Sequence, residues 1–219
     1  MAYGIKLKIW GDYACFTRPE MKVERVSYDV ITPSAARGII EAIYWKPAIR
    51  WIIDKITVIK PIKFENIRRN ELLGKISMST VKRAYMGNKE VKLYQSTDDI
   101  VQRASLVLRD VCYYIEAHFE LTDKAGETDT KEKHYNIGLR RATKGQCFHR
   151  PYFGCREFPV NFELAQGEDL SSFYVNSEKD LGFMLWDIDF KNEMSPLFFR
   201  PTMKDGVLDI PDLQGGEKL

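Results

Sequence analysis

An α+β fold is what the order of patterned segments predicts, and three observations carry it. Several stretches alternate apolar with polar residues, as half-buried strands do. Two other segments carry helix start and stop signals. The segments follow one another as strand, helix, strand, strand, helix, strand.

Ile5–Trp10 alternates apolar residues with Lys and opens the chain as a strand, followed by a loop containing Gly11 and Pro19. Thr32-Pro33 reads as an N-cap with Pro at the first helical position. The helix SAARGIIEAIYW runs to about Trp45, where Lys46-Pro47 stops it. Ile49–Ile62 is rich in Ile and Val and is expected as a long strand. Residues 63–100 are expected to be irregular and basic, with a short helix near Ser79–Tyr85 and an excursion at Gly87-Asn88. Ala104–Leu121 is the clearest strand: Val111, Tyr113, Ile115, Ala117, Phe119 and Leu121 share one face, and Asp110, Cys112, Tyr114, Glu116, His118 and Glu120 the other. After a polar loop, a helix spans roughly Lys131–Lys144, ended by Gly145. Tyr152–Leu164 looks extended.

This order predicts a ferredoxin-like (RRM-like) N-terminal domain over residues 1–164, with a basic insertion around 63–100, whose open sheet face is a platform for RNA. The aromatic segments GFMLWDIDF and PLFFR predict a small antiparallel β C-terminal domain over 165–219.

At 219 residues the chain can bury a sizeable core without staples. Lysines interrupt the apolar positions of MAYGIKLKIWGDY, and no apolar run approaches the roughly 20 residues that cross a bilayer, so no membrane partner is expected and the cytoplasm is the expected compartment. Cys15, Cys112, Cys147 and Cys155 form no CxxC pair, and the spacing of Cys147, His149 and Cys155 matches no common zinc pattern. No metal or cofactor is expected.

Charge is unevenly spread. Residues 160–219 carry 5 Lys/Arg and 12 Asp/Glu, whereas the first 159 carry 28 and 19. Lys60–Lys92 holds nine bases and three acids, and Lys131–Arg156 seven bases and one acid. Basic stretches interleaved with Tyr, Phe and His suit nucleic acid, because phosphates seek cations and bases stack on rings.

Four blocks carry a resemblance: GIIEAIYWKPAIRWIIDKITVIKPI (Gly38–Ile62), QRASLVLRDVCYYIEAHFEL (Gln102–Leu121), KHYNIGLRRATKGQCFHRPYFGCREF (Lys133–Phe158) and LGFMLWDIDF. Together, and in this order, they resemble the CRISPR-associated Cas-five family of the type I-C (Dvulg) subtype. The resemblance implies a ferredoxin-like domain with a smaller β-rich one. It also implies an endoribonuclease that cleaves precursor CRISPR RNA at each repeat hairpin, then stays on the 5′ handle of the mature guide RNA beside the other subunits of the type I-C interference complex. The alternative is a subunit that grips the handle without cutting.

Metal-free RNA cleavage needs a base for the ribose 2′-hydroxyl, an acid for the leaving 5′-oxygen and cations for the phosphorane. The resemblance implies a Tyr, a Lys and a His. Tyr44 of the YWKP motif and His118 of the AHFE motif are the expected catalytic pair. The lysine expected immediately before the histidine is absent there, since Glu116-Ala117 precede His118, so Lys46 or Arg141 is expected to stabilise the phosphorane. For RNA binding the candidates are Arg37, Lys46, Arg140, Arg141, Lys144, His149, Arg150 and Arg156. Arg37 either faces RNA or pairs with Glu41 four residues on. His134, like His149, either contacts phosphate or packs locally.

Overall fold

The computed structural model describes residues 3–75, 77–87, 99–165, 171–190 and 192–212. Strand β1 (Gly4–Ala14) runs through Gly11 rather than ending before it, and buries Ile5, Leu7, Ile9 and Ala14. Helix α1 (Pro33–Ile43) starts where the Thr32 hydroxyl accepts from the Ala35 N–H at 3.3 Å and Pro33 supplies the first helical residue. Ala36, Ile39, Ile40 and Ile43 then fall on one face and are buried. The helix ends at Tyr44, which turns to extended backbone (φ −151°, ψ 120°).

Strand β2 (Ile49–Val58) is shorter than expected. Residues 63–100 are not irregular throughout: β3 (Phe64–Leu72) pairs with the first half of β4 (Ile100–Leu121), from Phe64↔Leu108 to Leu72↔Ile100. Helix α2 (Met78–Tyr85) lies between them in sequence. Asn88, the second residue of the expected excursion, and the end of the Lys60–Lys92 stretch lie outside the described residues.

Helix α3 (Lys131–Thr143) is capped by Thr130, whose hydroxyl accepts from the Lys133 N–H at 3.2 Å. Gly145, at φ +62°, ends it: the Gly145 N–H donates to Ala142 O and the Gln146 N–H to Arg141 O, a Schellman arrangement that needs a left-handed residue. The following segment is mostly loop, with a single bridge, Tyr152↔Pro159, before β5 (Asn161–Leu164).

Strands β5, β1, β4 and β2 lie side by side in that order, every neighbouring pair antiparallel. Helix α1 connects β1 to β2, and α3 connects β4 to β5. Both helices cover one sheet face. Gly138 of α3 has space for only an ordinary contact with Tyr44 and Trp51, and Trp51 meets Phe119 edge-on with ring centroids 5.2 Å apart. Leu7↔Ile115, Ile9↔Tyr113 and Trp51↔Phe119 supply the layer beneath the helices. Each such side chain contributes about 1.5–3 kcal/mol by leaving water.

The expected boundary after residue 164 does not separate two cores. Strand β10 (Val207–Asp209) pairs with β2, β9 (Thr202–Lys204) with β10, and β6 (Glu178–Asp180) with β9, extending the main sheet. Among the described residues only β7 (Met184–Asp189) and β8 (Ser195–Phe199) form a separate hairpin. Leu181, Met184, Phe199, Met203 and Leu208 join the same apolar cluster as β1 and α1. Among the described residues no helix is long and apolar enough to cross a membrane.

Candidate active site and nucleic-acid groove

Because α1 ends at Tyr44 and α3 begins at Lys131 on the same sheet face, the tyrosine meets a histidine 90 residues away. The Tyr44 hydroxyl lies 2.7 Å from His134 Nδ1. Both residues are buried, at 2% exposure each. Among the described residues His134 Nε2 finds no hydrogen-bond partner; it lies 3.2 Å from Asp129 Oδ1. Either atom of the Tyr44–His134 contact can donate, according to which ring nitrogen carries the proton.

Two cations border this pair. The Arg141 guanidinium sits 5.5 Å from the Tyr44 ring centroid and donates from Nη1 to Ile43 O at 3.0 Å. Lys133 donates from Nζ to Asp129 Oδ1 and to Thr128 O, both at 3.1 Å. Burial holds the Tyr44 hydroxyl above its ordinary pKa, with Arg141 opposing and Asp129 reinforcing the rise. The Gly126 N–H and Lys133 hold the Asp129 carboxyl below its ordinary value.

His118, expected beside Tyr44, faces the other side of the sheet. It alternates with Ala117 and Phe119, which point at the helices, so it cannot also point there. Its Nδ1 lies 2.7 Å from Asp54 Oδ1. The cations and carboxylates around it are mutually neutralised: Lys6 with Glu116 at 3.1 Å, Lys8 with Glu163 at 2.8 Å and Arg50 with Glu120 at 2.9 Å. The basic helix α3 and the open sheet face therefore do not form one surface. A lysine is absent immediately ahead of His118, but one does immediately precede His134, at Lys133. The Lys133–Phe158 block contained that pair. What sequence could not give was that α3, rather than β4, delivers the histidine to Tyr44.

A groove of about 950 Å³ runs along the outer side of α1, with Tyr44 in its wall. Trp45, Lys46, Arg141, His149 and Tyr152 line it together with Leu185, Asp187, Ile188 and Phe190. The loop carrying His149 is docked by the Phe148 N–H, which donates to Ala42 O at 2.8 Å. Trp45 is 52% and Phe148 85% exposed, and the His149 and Tyr152 rings stack with centroids 6.4 Å apart.

The structure brings Arg37, Lys46, Arg141 and His149 together in this groove. Arg37 is committed within the protein: it grips Asp187 with both terminal nitrogens and lies 3.6 Å from Glu41. Arg140, Lys144, Arg150 and Arg156 are exposed outside the groove lining, with Arg150 donating to Asn161 Oδ1 at 3.1 Å. Cys155 turns toward Cys15 and Arg25. Among the described residues no cluster of His, Cys, Asp or Glu could hold a metal ion.

Comparison with known proteins gives consistent results. Residues 4–211 match the Cas5d model of a family described as CRISPR-associated protein (Cas5). The chain is 56% identical over 222 residues, 99% of each protein, to the CRISPR pre-crRNA endoribonuclease Cas5d of Mannheimia succiniciproducens. It is 38% identical, over 94% of this chain and 91% of the other, to the protein of the same description from Thermus thermophilus. A crystal structure of a CRISPR-associated protein superposes with a TM-score of 0.71 over 98% of this chain and 94% of the other, at 24% identity.

Proposed function

The chain belongs to the Cas5d family of CRISPR-associated proteins, and on that premise we propose that it is a pre-crRNA endoribonuclease whose catalytic group is Tyr44, Lys133 and His134. One observation carries this assignment: the 2.7 Å bond between the Tyr44 hydroxyl and His134 Nδ1, with Lys133 adjacent. Tyr44 is protonated near neutral pH, since burial raises it. It therefore works as a base by relay: the hydroxyl passes its proton to His134 as it takes one from the ribose 2′-hydroxyl. The 2′-oxygen attacks the adjacent phosphorus, and the 5′-oxygen leaves with a proton from Lys133. The Lys133 ammonium and the Arg141 guanidinium stabilise the charge that builds on the phosphorane. The products are a 2′,3′-cyclic phosphate and a 5′-hydroxyl, and no step calls for a metal.

The groove beside Tyr44 supplies the RNA site. Lys46, Arg141 and His149 suit phosphates, and Trp45, Phe148 and Tyr152 suit unpaired bases. We read the strand order β5-β1-β4-β2, with α1 and α3 on one face, as a ferredoxin-like sandwich that uses its helix side, not its open sheet, for this purpose. After cleavage the protein stays on the 5′ handle of the guide RNA as a subunit of the type I-C interference complex.

A second reading, handle binding without cleavage, is favoured by one observation: Tyr44 and His134 are only 2% exposed. The purified protein, incubated with its cognate repeat hairpin in EDTA, separates the two. Cleavage gives a single cut with a cyclic-phosphate end that Tyr44→Phe and His134→Ala abolish while His118→Ala retains it. Tight binding without a cut would establish the second reading.

A further inference from the structure

We propose that Asp129 is a positioning residue for the Tyr44–His134 pair, its carboxylate keeping the imidazole proton on Nε2 and Nδ1 free to accept from the tyrosine. The inference rests on the cleavage reading above.

The carboxylate is itself fixed. Its Oδ2 accepts from the Gly126 N–H at 3.1 Å, and the Asp129 N–H donates to Gly126 O at 2.9 Å, so a closed turn holds it at the head of α3. Its Oδ1 is shared, accepting from Lys133 Nζ at 3.1 Å and facing His134 Nε2 at 3.2 Å. The His134 side chain is 3% exposed, and among the described residues Nε2 has no hydrogen-bond partner, which leaves the Asp129 carboxylate, 3.2 Å away, to act on its proton by charge.

The surroundings of the ring leave Asp129 this role. Tyr44 faces it from α1, and Lys133 adjoins it on its own helix. Phe119 of β4 meets it edge-on with centroids 6.4 Å apart and offers no charge. Arg141 acts on the far partner, over the Tyr44 ring. Glu132 is turned away, accepting from the Tyr3 hydroxyl at 2.6 Å. Without a carboxylate at Nε2 the proton is free to occupy Nδ1, where it would oppose the tyrosine hydroxyl and close the relay.

In the reaction, the tyrosine proton moves to Nδ1, the ribose proton moves to the tyrosine oxygen, the 2′-oxygen–phosphorus bond forms, and the phosphorus–5′-oxygen bond breaks as the 5′-oxygen takes a proton from Lys133. The imidazolium left behind faces Asp129. The sharing of Oδ1 with Lys133 ties the base and the phosphorane-stabilising cation to one carboxylate.

The test uses the full chain and two readouts. With three histidines in the sequence, imidazole ¹⁵N signals can be assigned by single His→Gln variants. Wild type is expected to show His134 protonated at Nε2 alone. Asp129→Asn, whose amide oxygen still accepts from Gly126, is expected to show mixed tautomers and a kcat lowered about 10- to 100-fold, with KM for the repeat hairpin within about twofold. Asp129→Glu is expected to recover the single tautomer and part of the rate, and it carries the test if the asparagine variant does not fold. Wild-type kcat with an unchanged imidazole pattern in Asp129→Asn overturns the proposal. Cleavage that survives Tyr44→Phe overturns the catalytic reading instead, so the two failures are distinguishable.

Discussion

Arg37 on α1 and Asp187 on β7, 150 residues apart in sequence, form a two-pronged ion pair in which Nη2 donates to Oδ1 at 2.8 Å. Asp187 is 9% exposed, and its Oδ1 also accepts from the Ile188 N–H at 2.8 Å. Through this pair β7 is fixed beside α1, and residues of both line the groove.

Removing Arg37 leaves a mostly buried carboxylate without its cation, at a cost of about 1–3 kcal/mol. Arg37→Ala is expected to lower the urea midpoint and to weaken repeat-RNA binding, since the groove loses its wall. The double variant Arg37→Met/Asp187→Leu is expected to recover most of the stability and, with the wall, the binding. Binding unaffected by Arg37→Ala would show that the hairpin is not part of the RNA site.

Glu41 adds a pH dependence to the same junction. Burial, the largest cause, and Asp187 both raise its carboxyl pKa, while Arg37 opposes them. A raised folded value means its stabilising contribution is present below the ordinary carboxyl value of about 4.3 and is lost as pH rises through the folded value. Glu41→Gln is therefore expected to melt above wild type near neutral pH, with the difference shrinking as pH falls toward that ordinary value. Melting curves across that range decide it; a difference that grows on acidification contradicts the assignment.

Trp45 and Phe148 are 52% and 85% exposed, so truncating them should spare the fold. If unpaired bases stack there, Trp45→Ala and Phe148→Ala each weaken RNA binding by about 1–3 kcal/mol. Fluorescence anisotropy with the labelled repeat measures this, and unchanged affinity in both variants would remove the stacking role.

The cationic side of the groove is separable by salt. Each phosphate contact to single-stranded RNA contributes about 0.7 to the slope of log K against log salt. Lys46→Ala is expected to lower the slope by about that amount. Lys6→Ala, on the opposite sheet face and tied to Glu116 at 3.1 Å, should leave it unchanged. Equal effects from the two substitutions would place the RNA on the open sheet.

Much of the fold is legible locally. Thr32-Pro33 and Gly145 mark helix ends through groups within a few residues of each other, and β4 announces itself by alternation. Strand β3 is hidden because it buries nothing completely: its residues alternate between half-buried and exposed in a ribbon with β4, so no apolar period forms. The site was half legible. The groove cations could be named from residue type, whereas Tyr44 came from the resemblance alone, and His118, which the resemblance pairs with it, lies on the sheet face away from it.

The sequence by itself determined the helix caps, the strand phase that sets His118 opposite Phe119, and the basic, aromatic character of the Lys131–Arg156 stretch, because each follows from residues adjacent in the chain. Only the tertiary structure decided which sheet face the helices cover, and hence that Tyr44 meets His134 and Asp129. That choice is set by burying α1 and α3 together over Trp51 and Phe119, contacts between residues tens of positions apart that no local pattern encodes.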